Sequence, residues 1–208
     1  MKKNFCLLLL IMLFSFVASA QRFEYQFGLK GGLGSGFLSA DDDNIVSKDN
    51  GFSSKFGLTG IYYFGENYGI SSGFNIIGNN LSYKTTVVDE NGVVSNEIAN
   101  RNINNTYCQI PVLLKMRTDN FAGKFRIFGE IGYGLNILAN ENDKYDASHP
   151  YRDVCSSLIV HLGVEIEVLN RSSLQIMASY DDFFSTIVSR NSNKMTLSDL
   201  CLEIGFLF

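Results

Sequence analysis

Eight segments of this chain alternate apolar and polar residues with a period of two, which dictates strands with one apolar face. Tyr25, Phe27, Leu29, Gly31 and Leu33 share one face, and Glu24, Gln26, Gly28 and Lys30 lie between them. Phe56, Leu58, Gly60, Tyr62 and Phe64 repeat the pattern, and Ile70, Ser72, Phe74 and Ile76 make a weaker third case. Cys108, Ile110, Val112, Leu114 and Met116 form a fourth face, opposite Tyr107, Gln109, Pro111, Leu113, Lys115 and Arg117. Phe125 to Ile137 and Val154 to Ile166 alternate over longer runs. Leu174, Ile176, Ala178 and Tyr180 follow, and Leu200, Leu202, Ile204, Phe206 and Phe208 close the series. Helical spacing fits none of these segments, and several are too rich in Gly for a helix interior.

The connections carry a second regularity. Ser39–Gly51, Lys84–Asn105, Asn140–Asp153 and Phe183–Lys194 are long and polar. Gly65–Asn67, Thr118–Gly123 and Asn170–Ser172 are short. Long and short alternate strictly. In an up-and-down sheet, alternate connections lie at opposite ends, so all the long ones fall at one end. Short turns at one rim, long loops at the other and an even strand number characterise bacterial outer-membrane barrels. The expected fold is all-β: an eight-stranded antiparallel up-and-down transmembrane β-barrel.

The N-terminus fits export. Lys2 and Lys3 precede a mostly apolar run from Phe5 to Val17, and Ala18-Ser19-Ala20 supplies a small-residue cleavage pattern. Residues 1–20 are therefore expected to be a cleaved signal peptide, and residues 21–208 the barrel domain beginning at Gln21. Cys6 lies too early to be a lipoprotein cysteine. Beyond residue 20 no apolar run approaches the 18 or so residues of a transmembrane helix. With 17 Lys and Arg against 21 Asp and Glu, the chain is acidic and shows no basic patch, which argues against a nucleic-acid partner. The cysteines of the mature chain, Cys108, Cys155 and Cys201, are odd in number and lack C-x-x-C spacing, so they read as small buried residues rather than a zinc site.

Which face is outside decides between a membrane barrel and a soluble one. The apolar faces carry large Phe, Tyr, Leu and Ile residues on strand after strand. The other faces mix Gly, Ser and Asn with charges of both signs: Lys115, Arg117, Lys124 and Arg126 against Glu130, Glu165, Glu167 and Glu203, with His161 beside Glu165. Buried charges must be paired and hydrogen-bonded. The interior of a narrow eight-stranded barrel permits this, and glycines leave room for long side chains. These nine residues are expected to form a charge network in the lumen.

The last strand places Ile204, Phe206 and Phe208 on one face. A terminal Phe on an alternating strand resembles the signal read by the barrel-assembly machinery of Gram-negative outer membranes, although Glu203 stands where that signal commonly has Gly. The run Tyr107-Cys108-Gln109-Ile110-Pro111-Val112-Leu113-Leu114-Lys115 resembles a strand of the PorT-type outer-membrane β-barrel family of bacteroidetes. Phe128-Gly129-Glu130-Ile131-Gly132-Tyr133-Gly134 and Gly28-Leu29-Lys30-Gly31-Gly32 are similar to two further strands of that family. The resemblance spans about residues 23–208 and implies an architecture, a setting of outer-membrane lipid and lipopolysaccharide, and no cofactor. The namesake's link to gliding and protein export does not transfer on fold likeness.

Two candidate sites lie outside the barrel wall. Asp41-Asp42-Asp43-Asn44 offers hard oxygen ligands for Ca²⁺ but lacks EF-hand spacing, so a solvated acidic loop is the simpler reading. His149, with Asp146 and Ser148, has the residue types of a rim hydrolase site, unsupported by a second cluster. Three functional classes remain open. The first is a non-enzymatic barrel, structural or binding a protein partner through its external loops. The second is a barrel enzyme acting on lipid or peptide at the outer leaflet. The third is a soluble periplasmic ligand-binding barrel.

Overall fold

The computed structural model describes residues 24–40, 45–88, 94–121, 123–141, 153–169, 172–184, 188–189 and 194–208. The expected signal peptide, the Asp41–Asp43 segment and Asp146, Ser148 and His149 lie outside them. Eight long strands form one antiparallel sheet: β1 (Glu24–Ala40), β2 (Ile45–Tyr63), β3 (Tyr68–Val88), β4 (Val94–Arg117), β5 (Phe125–Glu141), β6 (Val154–Leu169), β7 (Ser172–Asp182) and β9 (Lys194–Leu207). The two-residue β8 (Val188–Ser189) pairs only with the start of β9. Each strand pairs with the next, and β1 pairs with β9 from Gly28↔Leu207 to Ala40↔Met195. The sheet is thereby a closed eight-stranded barrel. Among the described residues no helix is long and apolar enough to cross a membrane.

Closure satisfies backbone groups that an open edge would leave bare in lipid. The seam runs to the last residue: Phe208 N–H donates to Phe27 O at 2.7 Å, and Phe27 N–H donates to Phe208 O at 3.1 Å. The start of β1 and the end of β9 lie at the rim of the short turns. There Gly123 takes φ +79°, a left-handed conformation suited to glycine, in the β4–β5 turn. Asn67 Nδ2 bonds Asp119 Oδ1 at 2.9 Å and ties two neighbouring turns together.

The other rim corrects the loop lengths read from sequence. Lys84–Asn105 is not a long loop. β3 continues to Val88 and β4 starts at Val94, and from Asn75↔Gln109 outward the ladder is continuous but for one irregularity near its tip. Ser82 Oγ donates to Asn102 Oδ1 at 2.9 Å between these strands. Residues 45–51 likewise belong to β2. Crossing a bilayer takes about 9–11 tilted residues, whereas β3 has 21 and β4 has 24. Much of that hairpin therefore stands beyond the apolar band. In water both its faces can be polar, so the alternation fades while the hydrogen-bonded ladder continues.

The outward face follows the alternation. Phe27, Leu33, Phe56, Leu58, Leu162, Leu202 and Ile204 are all exposed. Aromatic residues gather toward the turn rim, where the Tyr25 and Tyr62 rings lie 5.0 Å apart and Phe121 and Phe125 6.0 Å apart. On the upper wall Tyr133 meets Phe184 edge-on at 6.0 Å. Apolar walls flanked by aromatic girdles suit a membrane-spanning barrel. Pro111 interrupts the β3–β4 ladder by lacking an N–H, and Ser72 Oγ donates to its carbonyl oxygen at 2.8 Å.

Candidate functional site: the buried charge network

The inward side chains form layers. Nearest the turn rim, Ile61, Tyr63 and Leu207 make a small apolar cluster. At the opposite end Leu38, Ile77, Leu81, Ile103, Tyr107, Cys155, Phe183 and Leu197 make a larger one. The Tyr107 and Phe183 rings meet there at a 59° tilt with centroids 5.4 Å apart. The polar lumen expected from sequence is thus bounded by apolar ends, and charged and amide side chains occupy the middle.

The lower polar layer is organised by Glu130 and Glu165. Lys115 Nζ lies 3.3 Å from Glu130 and 3.6 Å from Glu165. Glu165 also receives Arg117 at 3.8 Å and Arg126 at 3.6 Å, and Gln175 Nε2 donates to it at 2.9 Å. His161 Nδ1 lies 2.8 Å from Glu130. Lys115 also stands 4.1 Å over the Phe128 ring and Arg117 3.8 Å over that of Tyr63, so the cations are held by aromatic faces as well as carboxylates.

The middle layer centres on Lys55. Its ammonium is 3.0 Å from Asp181 and 3.1 Å from Glu203, and Lys30 lies 3.5 Å from Glu203. Above it runs a chain of amides. Asn75 Nδ2 donates to Gln109 Oε1 at 2.7 Å. Gln109 Nε2 donates to Asn136 Oδ1 at 3.0 Å and to Asp181 Oδ2 at 2.9 Å. Asn136 Nδ2 donates to Ser157 at 2.9 Å.

Of the nine residues assigned to the lumen by parity, Lys115, Arg117, Glu130, His161, Glu165 and Glu203 are buried and interlinked. Arg126 joins at the edge, its side chain a quarter exposed. Lys124 and Glu167 are corrections. Lys124 precedes β5, in the turn, and is exposed, so strand parity does not apply to it. Glu167 is half-buried where the β6–β7 register becomes irregular, at the turn rim. Sequence reading missed Lys55, Asp181 and Asp199 as network members. Each lies one residue beyond a segment chosen for its apolar alternation: before Phe56, after Tyr180 and before Leu200. Continuing the alternation by one residue would have placed all three inside. Ile204, Phe206 and Phe208 face outward on the closing strand and are exposed.

Glu130, His161 and Ser179 lie opposite one another across β5, β6 and β7. They have the residue types of an acid–base–nucleophile set. All three are enclosed, at 7%, 2% and 0% exposure. Among the described residues no group of three or more His, Cys, Asp or Glu is arranged to hold a metal ion. No disulfide joins the three cysteines of the barrel; Cys155 and Cys201 are buried and Cys108 is half-buried.

Residues 6–207 match the family described as the outer membrane protein beta-barrel domain. The outer membrane protein OprG from Pseudomonas aeruginosa is 14% identical, with 88% of this chain and 95% of that one aligned and a TM-score of 0.53, a likeness of fold. Neisserial surface protein A is 12% identical over 90% of this chain and 98% of its own, with a TM-score of 0.49. The attachment invasion locus protein Ail of Yersinia pestis is 16% identical over 89% of this chain and 99% of its own, with a TM-score of 0.39. No curated protein sequence matches this chain. A closed barrel with an apolar wall and a paired polar interior agrees with that family match: the chain belongs to the outer-membrane β-barrel domain family.

Proposed function

We propose that this protein is a non-enzymatic, non-conducting barrel that serves the outer membrane structurally or binds a partner through its external end. The observation that carries this reading is the stacking of ion pairs and amide bonds across the lumen between two apolar clusters. An eight-stranded barrel is just wide enough for side chains to fill, and such a filling leaves only the wall and rims for encounters. Residues 1–20 direct export in this reading, the wall meets lipid and lipopolysaccharide, and the β3–β4 hairpin is the largest projecting surface among the described residues. The resemblance of Tyr107–Lys115 to the PorT-type family supports the same architecture without adding an activity.

The protein is expected in the outer-membrane fraction, migrating faster on gels unheated than boiled. In planar bilayers the purified barrel is expected to give no stable channel steps. Large steady single-channel currents would refute the filled lumen, and recovery from the periplasm without detergent would refute the membrane setting.

Assembly supplies another test. The backbone of Phe208 completes the seam with Phe27, while its ring faces outward. Phe208→Ala leaves the backbone bonds available and removes only the ring. If the assembly machinery reads that ring, folded yield in cells drops severalfold while refolding of the purified chain in detergent is little changed. Equal cellular yields would show that this chain does not use the signal.

A further inference from the structure

On the outer wall beside the seam lies a groove of about 780 Å³. Gly31, Ser54 and Gly78 form its floor, and Phe56, Ile76 and Leu202 stand around it. The strand register explains it. Ser54 pairs with Gly78 and Gly78 with Thr106, so one row of the sheet carries short outward side chains across β2, β3 and β4. The next outward row toward the turns carries Phe56, Ile76 and Cys108. Counted from Tyr68, a bilayer crossing of about 9–11 tilted residues ends between Ile76 and Gly78. The groove therefore opens at the top of the apolar wall, on the side of the projecting hairpin.

The outward face changes character at that level. Beyond Gly78 and Thr106 it continues with Asn80 and Ser82 on β3 and with Asn104, Asn102 and Asn100 on β4. All four asparagines are exposed, as is Asn140, opposite Thr106 on β5. The first charged residue on this face of the hairpin is Lys84, opposite Asn100. Water solvates any polar side chain, and Asn is depleted in strands while Thr is enriched. Solubility alone therefore does not select asparagine here. A carboxamide both donates and accepts hydrogen bonds, as a hydroxyl does, whereas an ammonium only donates and a carboxylate only accepts. A ladder of carboxamides matches a ligand rich in uncharged hydroxyls, which is a saccharide.

We propose that groove and ladder together seat one lipopolysaccharide molecule of the outer leaflet, an acyl chain over Gly31, Ser54 and Gly78 and sugar hydroxyls on the exposed asparagines. The proposal rests on the outer-membrane reading given above and adds to it a particular lipid and a particular place. Continuity carries it. The groove belongs to the wall that meets lipid tails, and Asn80 and Asn104 are the next outward residues past its end. A glycolipid joins tail and sugar in that same order. A phospholipid would fill the groove and leave the carboxamides to water, and a free oligosaccharide would do the reverse.

The test refolds the purified barrel into three bilayers: phosphatidylcholine alone, with lipopolysaccharide that carries its core sugars, or with phosphatidic acid at matched charge. A ligand bound only by the folded state raises its unfolding midpoint in a saturable way. The expected midpoint is several degrees higher with lipopolysaccharide than in either other bilayer, read by loss of the fast-migrating gel form. Replacing Asn80, Asn102 and Asn104 together by Ala, all at exposed positions, is expected to abolish that difference. Gly78→Leu fills the groove, keeps every carboxamide and is expected to abolish it too. Its Cβ would meet only the Ser54 hydroxyl, at 3.2 Å, so the wall can accept the side chain. A difference that survives either variant would overturn the proposal, as would an equal rise with phosphatidic acid. Self-association in phosphatidylcholine alone that Gly78→Leu removes would assign the groove to a second copy and overturn it as well. Insertion into all three bilayers with equal midpoints would overturn this site and leave the membrane setting intact. Failure to insert into any of them would overturn both.

Discussion

Lys55→Met is expected to destabilise the barrel by about 3–5 kcal/mol, the usual cost of removing one partner from a buried ion pair. The size of the effect follows from what is left behind. Lys55 has its ammonium 3.0 Å from Asp181 and 3.1 Å from Glu203, with all three side chains essentially inaccessible. Without it Asp181 keeps one donor, Gln109 Nε2, and Glu203 keeps Lys30 at 3.5 Å. Asp199 stands opposite Asp181, so the loss turns a crowded but partly balanced group into three carboxylates with one lysine. Methionine fills much of the same volume and adds no polar group, which isolates charge from packing.

Urea unfolding of the refolded protein measures the loss, and a second variant assigns its cause. Asp181→Asn added to Lys55→Met removes one of the stranded charges and is expected to restore a good part of the stability. A coupling energy of that sign between residues in contact is what a double-mutant cycle isolates. A single variant as stable as the parent would mean that water reaches the lumen and solvates the carboxylates. A double variant no better than the single would locate the cost in packing around Lys55 instead.

The same residues mark where sequence reading works and where it stops. Alternation from Phe125 to Ile137 and from Val154 to Ile166 was legible because lipid on one side and packed side chains on the other enforce opposite polarity on successive residues. The closed barrel followed from that alternation and from the order of long and short connections. What alternation could not supply was the end of each strand. β4 begins at Val94, well before its apolar face starts, because a hairpin standing in water needs no apolar face to keep its ladder. The inward apolar residues were hidden for a related reason. Tyr107, Phe128 and Leu207 sit at positions that parity called polar, and they face inward to close the two ends of the lumen or to pack beneath its cations. Partner choice was beyond reach as well. Lys55 and Asp181 meet only because β2 and β7 look across one narrow interior, and no local spacing encodes that distance.

Gly34→Val is expected to abolish most of the folded, heat-modifiable species, a larger effect than any outward substitution on the same strand. Gly34 pairs with Cys201 on one side and Ser53 on the other, in the middle of the seam that closes the sheet. A Cβ there would overlap the Leu200 carbonyl oxygen and lie 2.6 Å from Cys201 Cα and 2.8 Å from Cys201 Sγ. Backbone atoms cannot swing aside as a side-chain tip can, so β1 and β9 would have to separate or slip. Separation leaves unpaired N–H and C=O groups in lipid, each costing several kcal/mol. A slip by two residues keeps every side chain on its own face, but it carries Lys30 away from Glu203, its only ion-pair partner in the network described above. Gly129→Ala is the matched control. Its Cβ would meet nothing nearer than the His161 carbonyl oxygen at 3.7 Å, so the outcome should be neutral or a gain of up to about 1 kcal/mol from the glycine removed. Comparable folded yields for Gly34→Val and Gly129→Ala would show that the seam has slack, and that close backbone approach does not set how this barrel closes.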